Sequence, residues 1–193
     1  MMNKMLKLAI LGVAACGVFA LTGCGGDKAA SSSVASSAAG QGALLQKIKK
    51  DGKLVVGTAP GFPPYEFLDT SVKDKKSITG IDIKIAEAVA KKLGVKLEVQ
   101  DMTFQSLLAS ITTGKIDIAI SAITPTAERE KTVDFSDSYL VGKHTLLVRK
   151  EDAGKYKTLA DFNGKKIAVQ KSSLQEKLTN EQIKDAQVVA LTK

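Results

Sequence analysis

From residue 44 onward, short apolar runs alternate with segments whose apolar side chains recur every three or four residues. Residues 53–58 (KLVVGT) are the first run, apolar on successive positions as in a strand covered on both faces. Ile85, Ala86, Val89 and Leu93 then recur at helical spacing, behind Gly80-Ile81-Asp82 and ahead of Gly94. This predicts a helix with Asp82 as its N-cap and Gly94 just past its end. Val95, Leu97 and Val99 alternate as a strand, residues 104–113 read as a second helix stopped by Gly114, and residues 116–120 as the next strand. Further strands are expected around 145–148, at 166–170 and at 187–191, with a short helix near 159–162 and another from about Ser173. Strands alternating with helices predict an α/β fold with a mostly parallel sheet covered on both faces.

In such sheets ligands bind beyond the carboxyl ends of the strands. Four strand ends then supply candidate groups. Phe62 and Tyr65 follow 53–58, Phe104 follows Val99, Ser121 to Thr124 follow 116–120, and Lys171-Ser172-Ser173-Leu174-Gln175 follow 166–170. The most informative stretch is 117–140, where a strand ends in a small polar turn and Arg129 stands five residues beyond Thr124. Of 28 basic residues only Arg129 and Arg149 are arginines. An arginine kept at a strand-to-helix junction suits a planar, two-pronged grip on a carboxylate, which lysine cannot reproduce. Taken singly, each feature has a structural reading: a solvated charged face at 128–131, core phenylalanines, a serine cap. Their convergence on one edge of the sheet is what points to a small-ligand cleft.

The N-terminus speaks to location. Lys4 and Lys7 precede an apolar run at 8–21 of signal-peptide length, too short for a membrane span of roughly 20 apolar residues. It closes on Leu21-Thr22-Gly23-Cys24, which resembles a bacterial lipoprotein signal. That resemblance implies a leader at 1–23, cleavage before Cys24 and lipidation of its thiol; two acyl chains give stable anchoring. Residues 24–43, rich in Ser, Ala and Gly, are expected to be a flexible tether. Cys16 would leave with the leader, so the remaining 170 residues would fold without a disulfide. The net charge is +8, or +6 without the leader lysines. The lysines are scattered and no aromatics interleave with them, which argues against nucleic acid as a partner.

Several motifs in order carry a family resemblance: Val56-Gly57-Thr58, Pro63-Pro64-Tyr65-Glu66-Phe67, Gly80-Ile81-Asp82-Ile83 and Gly114-Lys115-Ile116-Asp117. Ile123-Thr124-Pro125-Thr126 with Glu128-Arg129, Val133-Asp134-Phe135-Ser136 with Tyr139, and 168–173 (AVQKSS) complete the set. The chain from about 44 to 193 resembles the polar-amino-acid-binding proteins of ABC importers, with the type II periplasmic-binding-protein fold. The resemblance implies two lobes around a cleft, at 44–143 and 144–193, the second incomplete because family members run on past Thr192. It implies that Phe62 and Phe104 sandwich the ligand side chain and that Arg129 pairs with its α-carboxylate. Thr124 would bind through amide and hydroxyl, and the Ala122 carbonyl would face the ammonium. Ser121 would add a side-chain contact, while Ser173, Leu174 and Gln175 would present amides to the carboxylate. Ala59 stands where members selective for basic amino acids often keep an aspartate, and Leu174 where a threonine is common.

The implied protein is a monomeric, lipid-anchored extracytoplasmic receptor at the cell surface or in the periplasm. It would take a free polar or basic amino acid and serve a permease driven by an ATPase. No cofactor or metal is implied. Two other classes fit the same fold: a surface sensor or adhesin, and a dehydratase-like enzyme. The cleft offers the latter no cysteine, Ser-His-Asp set or metal cluster, and His144 falls near the lobe crossover.

Overall fold

A computed structural model describes residues 34–71 and 77–192, with side chains of the first helix described from Gly42 onward. The leader and Cys24 lie outside the described residues. Helix α1 (Val34–Asp51) comes first. Thus the part of the expected tether from Val34 to Ala43 is helical, continuous with residues 44–50, whose leucines, glutamine and lysines favour helix. Lys49 and Lys50 in its last turn complement the negative helix end. Among the described residues no helix is long and apolar enough to cross a membrane.

The chain continues through β1 (Lys53–Thr58), a hairpin of β2 (Phe67–Asp69) and β3 (Ser77–Thr79), α2 (Ile81–Leu93), β4 (Lys96–Asp101), α3 (Leu107–Thr112) and β5 (Ile118–Ala119). It then passes through β6 (Lys166–Gln170), α4 (Leu174–Gln182) and β7 (Gln187–Leu191). Strand β1 lies in the middle of a parallel sheet ordered β4-β1-β5, with Val56 opposite both Val99 and Ile118. Its alternate side chains enter two cores. Leu54 and Val56 pack with Ile48, Ala86 and Ala90 on one face, and Val55 packs with Met102, Leu107 and Ile116 on the other. Gly57 has no room for a side chain, since a methyl there would meet Ile116, Leu107 and Met102. Strands β6 and β7 pair in parallel as a separate two-stranded sheet over Ile167, Val169 and Ile183.

Several expectations change. Gly80, not Asp82, is the N-cap of α2, and no side chain caps that helix. Asp82 faces inward in the first turn, fully buried, because its carboxylate has partners on other elements. The buried face of α2 is Asp82, Ile83, Ala86 and Ala90, turned slightly from the expected stripe. Residues 104–106 form a 3₁₀ turn before α3, and β5 shrinks to two residues, although Asp117 and Ile120 donate to Val55 and Gly57 on either side of it. Residues 159–162 form a 3₁₀ turn. No strand forms at 145–148, since no neighbouring backbone among the described residues completes a ladder there. Leu147 is 99% exposed in that stretch.

Candidate functional site

Hydrogen bonds gather four strand ends at one edge. The Met102 amide donates to the Thr58 carbonyl (3.0 Å), joining the ends of β4 and β1. The Ala59 amide donates to Ser121 Oγ (3.1 Å), joining β1 to the turn after β5. Arg129 Nη1 donates to the Thr124 carbonyl (2.7 Å) and Nη2 to the Ser172 carbonyl (3.0 Å), which brings in the turn after β6. The guanidinium lies 5.6 Å from the centre of the Phe104 ring, within cation–π range. Phe104, Leu107, Leu108, Ile123, Arg129 and Ser172 line a crevice of about 40 Å³ at this junction. Burial pushes the Arg129 pKa down and Glu128 opposes this; a guanidinium still stays charged. An aromatic floor, a fixed cation and backbone groups from two lobes suit a small zwitterion.

The loop between β1 and β2 supplies the other aromatic. The Gly61 and Phe62 amides both donate to the Glu66 carbonyl (2.9 and 2.8 Å), closing a tight turn around the cis Pro63–Pro64 bond. Phe62 stacks on Tyr65 with ring centres 5.3 Å apart, and leaves 51% of its surface exposed. An apolar ring held half in water by a pinned loop is a surface awaiting contact. Tyr65 is thereby the packing partner of the loop.

On the second lobe, Ser173 caps α4 by accepting from the Glu176 amide (3.1 Å). The amides of Leu174 and Gln175 are first-turn donors that the helix cannot itself use, and they carry its positive end. Ser173 is buried and acts as a cap, so of this trio the backbone donors are what can meet an anion. The Glu176 carboxylate turns back to accept from the Ser172 amide, holding that residue in its left-handed conformation (φ 63°).

Ser121 differs from expectation. It is 2% exposed, and its hydroxyl donates to Glu66 Oε1 (2.9 Å) while accepting from Ala59. Its oxygen pins the Phe62 loop from behind the cleft instead of facing a ligand. Ala122 adopts φ 47°, unusual for a residue with a Cβ, and its amide donates to Asp82 Oδ2 (3.0 Å). Glu66, Asp82 and Tyr139, which fix this geometry, went unassigned as site residues. The available signal was an acid, Asp82, set between Ile81 and Ile83 on the inner face of a helix. A wider concavity, about 570 Å³, opens elsewhere, over Pro64, Phe67, Ile81 and Ile85; it lacks the convergent polar groups of the strand-end site.

This fold is that of a type II periplasmic-binding protein. Residues 54–187 match the bacterial extracellular solute-binding proteins, family 3, and the chain belongs to that family. It is 40% identical over 172 residues to the arginine-binding extracellular protein ArtP of Bacillus subtilis, covering 89% of this chain and 58% of that protein. The L-cystine-binding protein TcyJ of Escherichia coli is 36% identical over 126 residues, 65% of this chain and 46% of the relative. A Streptococcus pneumoniae amino acid ABC transporter substrate-binding protein, solved with L-arginine bound, superposes with TM-score 0.73 at 41% identity, over 78% of this chain and 62% of that one. An ancestral amino-acid-binding protein described as a precursor of cyclohexadienyl dehydratase gives TM-score 0.72 at 38% identity, over 77% and 65%. The chain spans about half the length of the curated relatives it matches.

Proposed function

We propose that this chain captures a free amino acid outside the cytoplasm and presents it to an ABC importer, with L-arginine the first candidate ligand. The observation that carries this reading is Arg129, held over Phe104 with its two nitrogens directed at backbone from both lobes. A ligand carboxylate would take the guanidinium and the Leu174 and Gln175 amides. The ligand side chain would lie between Phe62 and Phe104, the Ala122 carbonyl would face the ammonium, and Thr124 would bind through its amide and hydroxyl. An arginine side chain suits two aromatic faces. The arginine-binding relative and the arginine-bound neighbour support that choice; Ala59, where an acid is absent, makes neutral polar amino acids the rival ligands. Closure of the second lobe onto the first would follow from ligand contacts made only in the closed arrangement.

The leader and Cys24 support export and attachment of a monomer to the membrane by lipid. We read the chain as a binder and not an enzyme, because the groups at the cleft suit recognition and no nucleophile–base pair is among them. Incubation with arogenate or prephenate, followed by mass spectrometry, should leave both unchanged; turnover would overturn this. The direct test is a thermal-shift screen against the twenty amino acids. A ligand at about a hundred times its dissociation constant should raise the melting midpoint by roughly 5–10 °C. Absence of any shift from a cooperative melt would contradict the reading.

A further inference from the structure

Behind the cleft lies a pair of buried acids that ligand contact does not explain. Glu66 is 2% exposed and Asp82 is fully buried. Asp82 is an acceptor throughout: Tyr139 Oη donates to both of its oxygens (3.1 Å each), and the Ala122 amide to Oδ2. Glu66 Oε1 accepts from Ser121, whereas Glu66 Oε2 is buried with no donor reaching it. Its carboxyl is set beside that of Asp82, since Ser121 donates to Glu66, the adjacent Ala122 amide donates to Asp82, and the Asp82 amide donates to the Tyr65 carbonyl (2.9 Å). Two ionised carboxylates only accept, so side by side they leave a buried oxygen unmatched and two charges opposed. One proton on Oε2 removes both faults, turning the contact into a donor–acceptor pair.

We propose that Glu66 and Asp82 share one proton and act as positioning residues for the cleft, pinning the loop that bears Phe62 and the turn that bears Ala122. The titratable groups set against Glu66 are Asp82 from α2 and Tyr139 from the segment after β5; neither is a cation. Burial pushes the Glu66 carboxyl up to about 8, opposed by the Ser121 bond and assisted by Asp82. Burial and the nearby Asp82 likewise push the Tyr139 phenol upward, so it stays a donor at neutral pH. Above that range two negative charges face each other, and the bonds to Ser121 and to the Ala122 amide loosen together. Ala122 in its left-handed conformation depends on such bonds. The proton sharing rests on the unpartnered Glu66 Oε2 and on the bonds that set the two carboxyls together; its consequence for ligand capture rests on the function proposed above.

The test is the melting midpoint of the chain between about pH 6 and about pH 8, with and without L-arginine, for wild type, Glu66→Gln and Glu66→Ala. Glutamine keeps an acceptor for Ser121 and supplies a permanent donor to Asp82. Wild type should lose roughly 5–10 °C across this range. Glu66→Gln should be flat, and Glu66→Ala should melt lower than Glu66→Gln throughout. An infrared titration of wild type should show a protonated carboxyl stretch near neutral pH, absent in Glu66→Gln. An equal pH slope in wild type and Glu66→Gln would overturn the pair. Should Glu66→Gln not melt cooperatively, absence of the infrared band in wild type would overturn it alone. Failure of L-arginine to shift the melt at every pH would instead count against the capture of arginine, so the two failures are told apart.

Discussion

Strands β1 and β6 are both parallel and both end at the cleft, yet they are covered differently. Every β1 residue from Leu54 to Thr58 is buried, because α1 and α2 lie on one face of its sheet and α3 on the other. Strand β6 buries only Ile167 and Val169, and its alternate residues face out. The consequence is a division of labour. The first region can hold buried carboxylates, a left-handed alanine and a half-exposed phenylalanine in place, since two cores back them. The second region, with one small core, contributes a helix start and the Ser172 carbonyl. A recognition surface needs a rigid wall on one side; the other side needs only a few well-aimed backbone groups.

Breaking the wall should have the largest effect. Leu107→Ala removes a fully buried side chain beneath Phe104 and should lower stability by about 3–5 kcal/mol in chemical denaturation, well beyond what Val169→Ala does in the second region. Gly80→Ala should cost about 2 kcal/mol or more: Gly80 has φ 128°, and a Cβ there would run into the Tyr65 carbonyl. Next comes Asp117, whose Oδ2 accepts from the Val55 amide (2.8 Å) and whose Oδ1 accepts from Lys47 Nζ (3.0 Å). Asp117→Ala leaves the buried Val55 amide unmatched, and a loss of about 1–3 kcal/mol should be seen by melting. The bond to Asp117 also raises the Lys47 pKa, so this tie of α1 to the sheet persists across neutral pH.

The pH response has a definite sign. The Glu66 carboxyl has a higher pKa folded than unfolded, so its contribution is fully present below about 4.5 and is gone above about 8. Stability should fall with rising pH by at most about 1.4 kcal/mol per unit in that window. Ser173→Ala should have the smallest effect, about 1 kcal/mol, by removing the α4 cap. Hydrogen exchange should confine that change to the second region; its spread to β1 would break the comparison drawn between the two.

Much of this was legible in the chain. Strands β1, β6 and β7 fall on the expected residues because each is a compact apolar run, and Gly94 ends α2 in the left-handed conformation as its position suggests. The family and its fold followed from motifs in order. What stayed hidden was decided by tertiary partners. Local capping logic assigned Asp82 to the helix end, but Ala122, forty residues away in sequence, holds it inside. Ser121 reads as a ligand contact until Glu66 and Ala59 are seen to occupy its hydroxyl. Residues 145–148 have strand composition, but a strand requires a neighbour that composition cannot announce.

The central claim is that Arg129 is placed for two-pronged recognition of an α-carboxylate. The direct measurement is calorimetric titration of wild type and Arg129→Lys with L-arginine, or with whichever amino acid gives the largest thermal shift. Lysine keeps the charge and loses the fork, so affinity should fall by about 30-fold or more, some 2 kcal/mol. Equal affinity in the two proteins would contradict the account.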